Sequence, residues 1–431
     1  MSSERGRVLS NTSWILLHRA IRIVVGFLLG IWLARYLGAA NFGTLSFGLS
    51  WAALFAVVAQ MGLPNIVTRE LVSRPGEQGL ILGSALVLRF IGAGVGLVLA
   101  VSSYLLVFGS ADQDVLLIVA LTAGSQLFLA LEVIDYWYRS EVAWRAVFIP
   151  RLLAFAAASG FKVLCILQRR PGEWFAAATT VDAALTATLL AIRYRRSPDR
   201  PRGLRGTRNA ISMLVRESWP LLVSALAIVV YTRIDQVMIG SLLSREELGN
   251  YSVAVKVSSV WYVLPSAFTQ SMLPGIVRAR AESTGRYQRQ LMRLLGSLFW
   301  VSVGASIVAT VIAPRIVPLL VGDDFTQAGR VLQVHFWAGV FVAIGIGARS
   351  WLLAEGLQRY SVHRTVAGAV SNVILNAVLI PRAGLVGAAA ATVVSQIVAT
   401  YLSFLWIPKG RVILGLLHRA IVSPRLLLGS D

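Results

Sequence analysis

The sequence has little charge, few lysines and almost no cysteine. Charged residues make up 14% of its 431 residues, whereas an ordinary soluble domain has about 25%. Together with a mean hydropathy of +0.71, this excludes an ordinary soluble globular fold. The single Cys165 excludes an intrachain disulfide and a cysteine metal cluster. Since only three residues are lysines, the formal net charge of +20 comes almost entirely from arginine.

Signatures of nucleotide and metal binding are also missing. No glycine-rich loop ending in Lys-Ser or Lys-Thr occurs, which argues against direct use of ATP. His335, His363 and His418 are too dispersed to suggest a metal site. The Gly92-x-Gly94-x-Gly96 pattern lies in an apolar stretch, where it is typical of close helix packing. We therefore expect no bound cofactor.

Long apolar runs dominate what remains. A bilayer core about 30 Å thick needs roughly 20 apolar residues in a helix. Runs of that length, bounded by Gly, Pro or charge, predict about twelve membrane-spanning helices and hence an all-α polytopic membrane protein. The predicted spans are 12–36, 43–64, 80–108, 114–138, 147–167, 174–192, 218–243, 249–275, 294–321, 331–354, 360–381 and 385–408.

The arginines between these spans indicate the orientation. If both termini are cytoplasmic, most of the basic residues fall on inner segments, and the outer loops hold only five. The residues on the outer loops are Arg169, Arg170, Arg245, Arg330 and Arg382. The densest basic run, Arg193 to Arg216, becomes an inner loop, which argues against nucleic acid and favours a topology signal with contact to anionic lipid headgroups.

The chain also contains an internal duplication. The second and eighth spans begin with similar segments, Gly43-Thr44-Leu45-Ser46 and Gly249-Asn250-Tyr251-Ser252. They also end with similar segments, Leu63-Pro64-x-Ile66-Val67 and Leu273-Pro274-x-Ile276-Val277. Two lobes of six spans each would have the same orientation, the geometry of alternating access around a midplane site. The predicted domains are 1–192, a linker at 193–217, 218–408, and an amphipathic tail at 409–431 that lies on the inner surface.

Charged residues inside the spans are the main functional signal, because each costs several kcal/mol unless it is paired or hydrated. The spans carry more basic than acidic residues, so pairing cannot neutralise all of them. An arginine surplus lining a central cavity suits an anionic ligand such as a diphosphate, since the guanidinium fork matches phosphate oxygens. The predicted cavity residues are Arg19, Arg22, Arg89, Arg233, Lys256 and Arg349.

Other charges within the spans have different expected roles. Four of them lie near span ends, where snorkelling or interfacial pairing is the expectation: Glu132, Asp135, Arg151 and Arg315. Asp182 and Asp235 are deep enough to exchange a proton or hold Na⁺. Asp182 has no basic neighbour within its own helix, so we expect it to be the better candidate for proton coupling. For Asp235, a structural ion pair with nearby Arg233 is at least as good an expectation as a role in coupling.

Several segments resemble the Wzx-type polysaccharide-biosynthesis flippases of the multidrug/oligosaccharidyl-lipid/polysaccharide exporter (MOP) superfamily. The matching segments are Asn11-Thr12-Ser13-Trp14, Ala34-Arg35-Tyr36-Leu37-Gly38, Asn41-Phe42-Gly43, Gly62-Leu63-Pro64, Arg69-Glu70 and Arg233-Ile234-Asp235-Gln236-Val237-Met238-Ile239-Gly240. The resemblance implies a V-shaped, two-lobed bundle around a central cavity. It also implies a flippase that carries undecaprenyl-diphosphate-linked oligosaccharide to the outer leaflet for O-antigen, exopolysaccharide or capsule assembly.

Other functions remain open at this stage. A multidrug antiporter of the same superfamily would favour an acidic, aromatic cavity, and a peptidoglycan lipid-precursor flippase usually has fourteen spans. A membrane-embedded glycosyltransferase, polymerase or ligase usually needs a sizeable outer domain with acid and base residues. We expect a transporter and not an enzyme, in the bacterial inner membrane, monomeric, with membrane lipids and glycan polymerase or assembly proteins as candidate partners.

Overall fold

A computed structural model describes residues 2–110 and 112–422, with the side chains of 2–13, 15 and 16 left undescribed. The described residues form helices and connecting turns without a strand. The α-helices are α1 Ser2–Gln60, α2 Leu63–Ser73, α3 Gln78–Phe108, α4 Gln113–Leu129, α5 Val133–Ser140, α6 Arg145–Leu167, α7 Glu173–Arg195, α8 Arg208–Leu242, α9 Arg245–Trp261, α10 Val263–Glu282, α11 Thr284–Val321, α12 Ala328–His335, α13 Ala338–Ala354, α14 Tyr360–Thr400 and α15 Gly410–Val422.

Nine stretches of the described chain are long and apolar enough to cross a membrane. Two of them, Leu17–Ser73 and Tyr360–Trp406, are more than twice the length of roughly 20 residues that one crossing needs. Each contains a non-helical glycine, Gly38 in α1 and Gly384 in α14, at the boundary between two predicted spans. The predicted eighth span is divided between α9 and α10, which meet at Tyr262. These breaks account for the difference between nine stretches and the twelve predicted spans.

The described residues fall into two compact units. Within the described ranges, the first unit contains residues 2–37, 44–110 and 112–229, and the second contains residues 38–43 and 230–422. The division therefore lies inside α8, whereas the sequence predicted a linker at 193–217 between the lobes. That segment packs on the first unit instead, because the main chain of Arg202 and Arg205 lies directly against α3.

The core of each unit is built from the buried faces of its helices. In the first unit, residues of α2, α3, α5 and α7 form one cluster that includes Leu63, Leu88 and Trp137. In the second unit, α10, α11, α13 and α15 share a cluster around Leu294 and Trp351. The outward faces of these helices expose large apolar residues such as Leu106 and Leu319, as expected for surfaces that contact lipid.

The two predicted repeat motifs differ in local structure. Leu63-Pro64 begins α2 after Met61 and Gly62, which both have positive φ, whereas Pro274 lies inside α10. Gly62 adopts the left-handed conformation readily, but Met272, the residue at the same place before Leu273, favours continued helix. The helix therefore breaks before the proline only in the first copy.

The opening glycines of the repeat do share a structural role. A methyl group on Gly43 would overlap the Arg245 carbonyl, and one on Gly249 would overlap the Ala39 carbonyl. The first turn of α9 and the chain after the Gly38 kink thus pack closely against each other, and the glycine of each segment leaves room for a main-chain carbonyl of the other. We call this the reciprocal glycine contact, and all of its residues belong to the second unit.

The predicted tail forms α15, whose 13 residues are about 20 Å long and too short to span a bilayer. Its buried residues, including Ile413 and Leu417, join the core of the second unit. Lys409 lies just before α15 and binds Glu355 at 3.2 Å. The rest of the predicted tail, residues 423–431, lies outside the described residues.

Candidate functional site

A cluster of charges lies within the apolar helices of the first unit. Arg22 of α1 donates from Nη2 to Asp182 Oδ2 of α7 at 3.0 Å, and its guanidinium carbon lies 4.9 Å from the ring centre of Phe155 in α6. Lys162 of α6 is close enough to interact electrostatically with both charged groups. We call Arg22, Lys162 and Asp182 the first-unit charge cluster. It combines two cations with one carboxylate.

The cluster leaves binding capacity unused. The Arg22 side chain is 37% exposed, and Asp182 Oδ1 is buried without a hydrogen-bond partner. His18, on the same face of α1, is buried, and its Nε2 also has no partner. Since Asp182 fixes one side of the Arg22 guanidinium, the remaining N–H groups are held in a set orientation. This arrangement can bind a further anion.

The contacts correct one premise of the sequence analysis. Asp182 was expected to lack a basic partner, and this is wrong, because only residues of its own helix were considered. Arg22 of α1 is the basic partner of Asp182, and it lies 160 residues away in the sequence. Arg19, the other predicted cavity residue on this part of α1, has an exposed side chain.

Arg89 has a different role from the one predicted. Its side chain is 1% exposed, and it donates to the carbonyl oxygens of Ala59 at 3.1 Å and Leu129 at 2.6 Å. Glu132 Oε2 lies 3.5 Å from the same guanidinium. These contacts tie α3 to α1 and to the end of α4, so in this structure Arg89 is a structural residue enclosed by protein.

The predicted pairing near the span ends is confirmed. Arg151 contacts Glu132 at 2.7 Å and Asp135 at 3.2 Å, and Arg139 contacts Asp135 at 2.8 Å. Asp135 is fully buried. The two carboxylates of this network balance Arg139 and Arg151, while Arg89, whose guanidinium also lies near Glu132, is a third cation that is enclosed by protein.

The second unit contains a carboxylate with neutral partners. Asp235 of α8 is 5% exposed and accepts hydrogen bonds from the Tyr251 hydroxyl at 2.5 Å and from the Gln236 main-chain N–H at 2.7 Å. Arg233 has an exposed side chain, and the expected ion pair with Asp235 does not occur in the described structure. The sequence could not show this, because Tyr251 lies on the next helix.

A chain of buried polar side chains extends from Asp235. Tyr251 lies 3.4 Å from the Thr392 hydroxyl, and Asn372 donates to Ser395 at 3.1 Å. Asn376 donates to Asn372 at 3.0 Å, while its own Oδ1 is buried without a partner. We call Asp235, Tyr251, Thr392, Ser395, Asn372 and Asn376 the second-unit polar chain. Oxygen ligands of this kind suit a proton or a hard cation such as Na⁺.

Sequence reasoning missed most of this chain. Asn372 and Asn376 are spaced by four residues, which places them on one face of α14, and that spacing was available as a signal. Thr392 and Ser395 lie beyond the Gly384 kink of the same helix. Only the fold shows that this kink returns the chain alongside the asparagines.

The remaining predicted cavity residues lie in the second unit. The Lys256 ammonium is 5.9 Å from the ring centre of Phe42. Arg349 is exposed. Arg364, which was not predicted, is 6% exposed, donates from Nε to the Ala399 carbonyl at 2.9 Å and stacks over Phe404 at 4.4 Å.

The chain is similar to known flippases and transporters. It is 24% identical over 385 residues to the probable low-salt glycan biosynthesis flippase Agl15 of Haloferax volcanii, covering 86% of this chain and 77% of that protein. It is 28% identical over 192 residues to the probable flippase AglR of the same organism, covering 42% of this chain and 38% of AglR. The latter match thus spans less than half of the relative.

Solved structures with the same fold include two transport proteins. An inward-facing multidrug resistance MATE family transporter of the MOP superfamily matches with a TM-score of 0.74 at 16% identity, covering 92% of this chain and 95% of that one. Lipid II flippase MurJ in an inward closed conformation matches with a TM-score of 0.70 at 12% identity, covering 96% and 93%. At these identities the likeness shows the fold alone, and it confirms the predicted all-α polytopic fold class.

Family profiles match both parts of the chain. Residues 220–378 match the MatE family. Residues 8–280, more than half of the chain, match the profile described as polysaccharide biosynthesis protein. The resemblance found in the sequence is therefore confirmed, and the chain belongs to the polysaccharide biosynthesis protein family.

Proposed function

We propose that this protein is a flippase for a lipid-linked oligosaccharide, moving undecaprenyl-diphosphate-linked glycan from the cytoplasmic to the periplasmic leaflet for polysaccharide assembly. The observation that carries the proposal is the first-unit charge cluster, in which two cations accompany one carboxylate at membrane depth. The diphosphate is the anionic group common to all such substrates. The family match and the glycan flippase Agl15 add support from similarity.

Arg22 has the central role in this mechanism. Asp182 orients its guanidinium from one side, and the 37% exposed remainder donates to the diphosphate oxygens. Lys162 adds charge without a fixed hydrogen-bond geometry. Because the substrate brings its own negative charge, it replaces bulk water as the partner of the surplus cation. Alternating access then carries the bound headgroup across, as transporters with parallel repeats do.

Reconstitution into vesicles tests the proposal directly. The probe is a fluorescent short-chain polyprenyl diphosphate carrying N-acetylglucosamine, and the measurement is loss of fluorescence when a membrane-impermeant quencher is added outside. Arg22→Gln should reduce the flipping rate at least tenfold with an unchanged amount of folded protein. Arg315→Gln is the matched control, because Arg315 is also an exposed arginine within an apolar helix.

Two results would contradict the proposal. One is wild-type protein that does not flip the diphosphate probe faster than protein-free vesicles. The other is an equal rate for Arg22→Gln and wild type.

Coupling to an ion gradient is the second part of the proposal. A carboxylate that exchanges a proton or holds Na⁺ works best without a fixed cationic partner. Asp235, whose described partners are the Tyr251 hydroxyl and a main-chain N–H, meets this condition better than Asp182, which binds Arg22. The second-unit polar chain supplies further oxygen atoms next to it. We therefore assign coupling to Asp235 ahead of Asp182.

The proposed location is the inner membrane with both termini in the cytoplasm. Single cysteines introduced at Asp199 and Ser110, both exposed, test the orientation in a Cys165→Ala background. An impermeant thiol reagent added to whole cells should label the cysteine at 110 and leave the one at 199 unlabelled. The opposite pattern would reverse the orientation.

A further inference from the structure

The arginine-rich segment 193–217, here named the arginine linker, is folded onto the first unit. The Tyr138 hydroxyl lies 2.6 Å from Ser197 Oγ, and the Tyr194 hydroxyl donates to the Pro201 carbonyl at 2.6 Å. Both tyrosine side chains are buried. Two buried aromatic residues thus fix the first half of the linker to α5 and α7.

The second half of the linker is held against α3. The Thr207 main-chain N–H donates to Ser84 Oγ at 3.1 Å. Gly79 and Gly83, one turn apart on α3, leave no room for a side chain, because a methyl group on either would overlap the main chain of Arg202 or Arg205. The linker therefore follows a defined path along α3.

The linker contacts α3 through its main chain, and most of its arginine side chains are exposed. Seven of the eight arginines of the linker are exposed, while Arg200 is half-buried and binds main-chain carbonyls. The exposed arginines are Arg193, Arg195, Arg196, Arg202, Arg205, Arg208 and Arg216. Of the two acids in the segment, Glu217 contacts Arg69, which leaves Asp199 as the other negative charge.

The helices on both sides of the linker place it at the edge of the lipid-facing surface. On α7, exposed Ile192 directly precedes Arg193. On α8, exposed Trp219 follows Arg216 by three residues, about 4.5 Å along the axis. Tryptophan at such a position is typical of the interface between headgroups and acyl chains. The arginines therefore lie at headgroup depth.

From this geometry we infer that the arginine linker is a docking surface for anionic phospholipid headgroups. Each headgroup offers a phosphodiester, which the guanidinium fork binds through two parallel hydrogen bonds. A fixed main chain lowers the entropy lost on binding, so the surface binds more tightly than an unstructured basic tail of the same charge. The inference depends neither on the glycan nor on which leaflet the linker faces.

The test is native mass spectrometry of the full-length protein in detergent, titrated with phosphatidylglycerol or phosphatidylcholine. Wild type should retain more phosphatidylglycerol than phosphatidylcholine. In the triple variant Arg195→Gln, Arg202→Gln, Arg205→Gln, phosphatidylglycerol affinity should fall, by about fivefold per arginine at low salt, or about a hundredfold in total if the contributions add. Within the described part of the chain these three side chains form no ion pair, so their loss should not unfold the linker.

Two further variants complete the design. Lysine at the same three positions keeps the charge and removes the fork, and should give an intermediate affinity. Glutamine at Arg169, Arg330 and Arg382, which are exposed on predicted outer loops, removes the same charge elsewhere and should leave the affinity unchanged.

The inference is overturned if the linker glutamine variant binds phosphatidylglycerol as wild type does, or if the outer-loop variant loses as much affinity. Inorganic phosphate that displaces the lipid at equal concentration would also overturn it, by making the surface a site for free anions.

Discussion

Asp182 in the first unit and Asp235 in the second unit are both carboxylates within apolar helices, and they are stabilised in opposite ways. Asp182 binds a guanidinium, and another cation is nearby. Asp235 is more deeply buried and binds a tyrosine hydroxyl and a main-chain N–H. The first arrangement has more cationic than anionic groups and suits an anion. The second has a carboxylate with neutral hydrogen-bond donors and suits a cation. Under the proposed function, the first site binds the substrate and the second binds the coupling ion.

The largest expected effect separates the two charges of the first unit. Arg22→Gln should weaken binding of the diphosphate probe at least tenfold, while Asp182→Asn should strengthen it, because the surplus of positive charge grows. Equilibrium binding of the fluorescent probe to purified protein measures both changes. If the pair only holds α1 to α7, both variants will lower the unfolding temperature and neither will raise affinity.

The next effect concerns the gradient. Asp235→Asn should remove any stimulation of flipping by an imposed proton or Na⁺ gradient, since no exchangeable carboxylate remains in the second-unit polar chain. Asp182→Asn is the matched control and should keep the stimulation. Reconstituted flipping with and without each gradient gives the measurement. The comparison fails if Asp182→Asn abolishes the stimulation and Asp235→Asn retains it.

A smaller effect is expected at the tyrosine that satisfies Asp235. Tyr251→Phe leaves a buried carboxylate with one donor fewer, which typically costs about 1–3 kcal/mol. Thermal unfolding in detergent should show a lower Tm than wild type. Tyr36→Phe, which removes an exposed hydrogen bond to the Arg170 carbonyl, should change it little. Equal Tm values for Tyr251→Phe and wild type would show that the Tyr251 hydroxyl does not stabilise the buried Asp235 carboxylate.

The smallest effect is expected at Glu355, an acid outside the spans. Burial alone would raise the pKa of its carboxyl, but the hydrogen bond from Lys409 and the charge of Arg280 lower that pKa below its ordinary value. The stabilisation is therefore complete above the ordinary pKa and is lost as pH falls through the lowered one.

Glu355→Gln should flatten this acid limb of Tm against pH and cost no more than about 1 kcal/mol at neutral pH. Glu282→Gln, at an exposed pair with Arg286, is the control. An unchanged acid limb in Glu355→Gln would show that the Lys409 contact adds nothing to stability.

The sequence predicted the features that depend on local pattern. Apolar runs gave the helices, and charges near their ends gave the pairing of Arg151 with Glu132 and Asp135. Contacts across helices were beyond it. Whether Arg22 meets Asp182, 160 residues away, or Asp235 meets Tyr251 depends on how the helices pack, and no spacing along one helix contains that information.

Arg89 illustrates the same limit from the other side. At the sequence level it resembles Arg22, because both are arginines inside an apolar run. Its position is set by hydrogen bonds to the carbonyl oxygens of Ala59 and Leu129, which lie at the C-terminal ends of α1 and α4. Charged residues can be located from one sequence, but the main-chain carbonyl oxygens that will accept hydrogen bonds from them cannot.

The reciprocal glycine contact has a consequence for biosynthesis. Gly43 is made long before its partner segment at Arg245, and a ribosome adding about 5–20 residues per second needs roughly 10–40 s to cover that distance. During this time the segment Gly38–Gly43 has been made, but the start of α9, which it contacts in the folded protein, has not. The second unit can therefore be completed only when the chain returns to a segment inserted earlier, and a pause in translation before residue 245 would prolong the exposure of that segment to other proteins in the membrane.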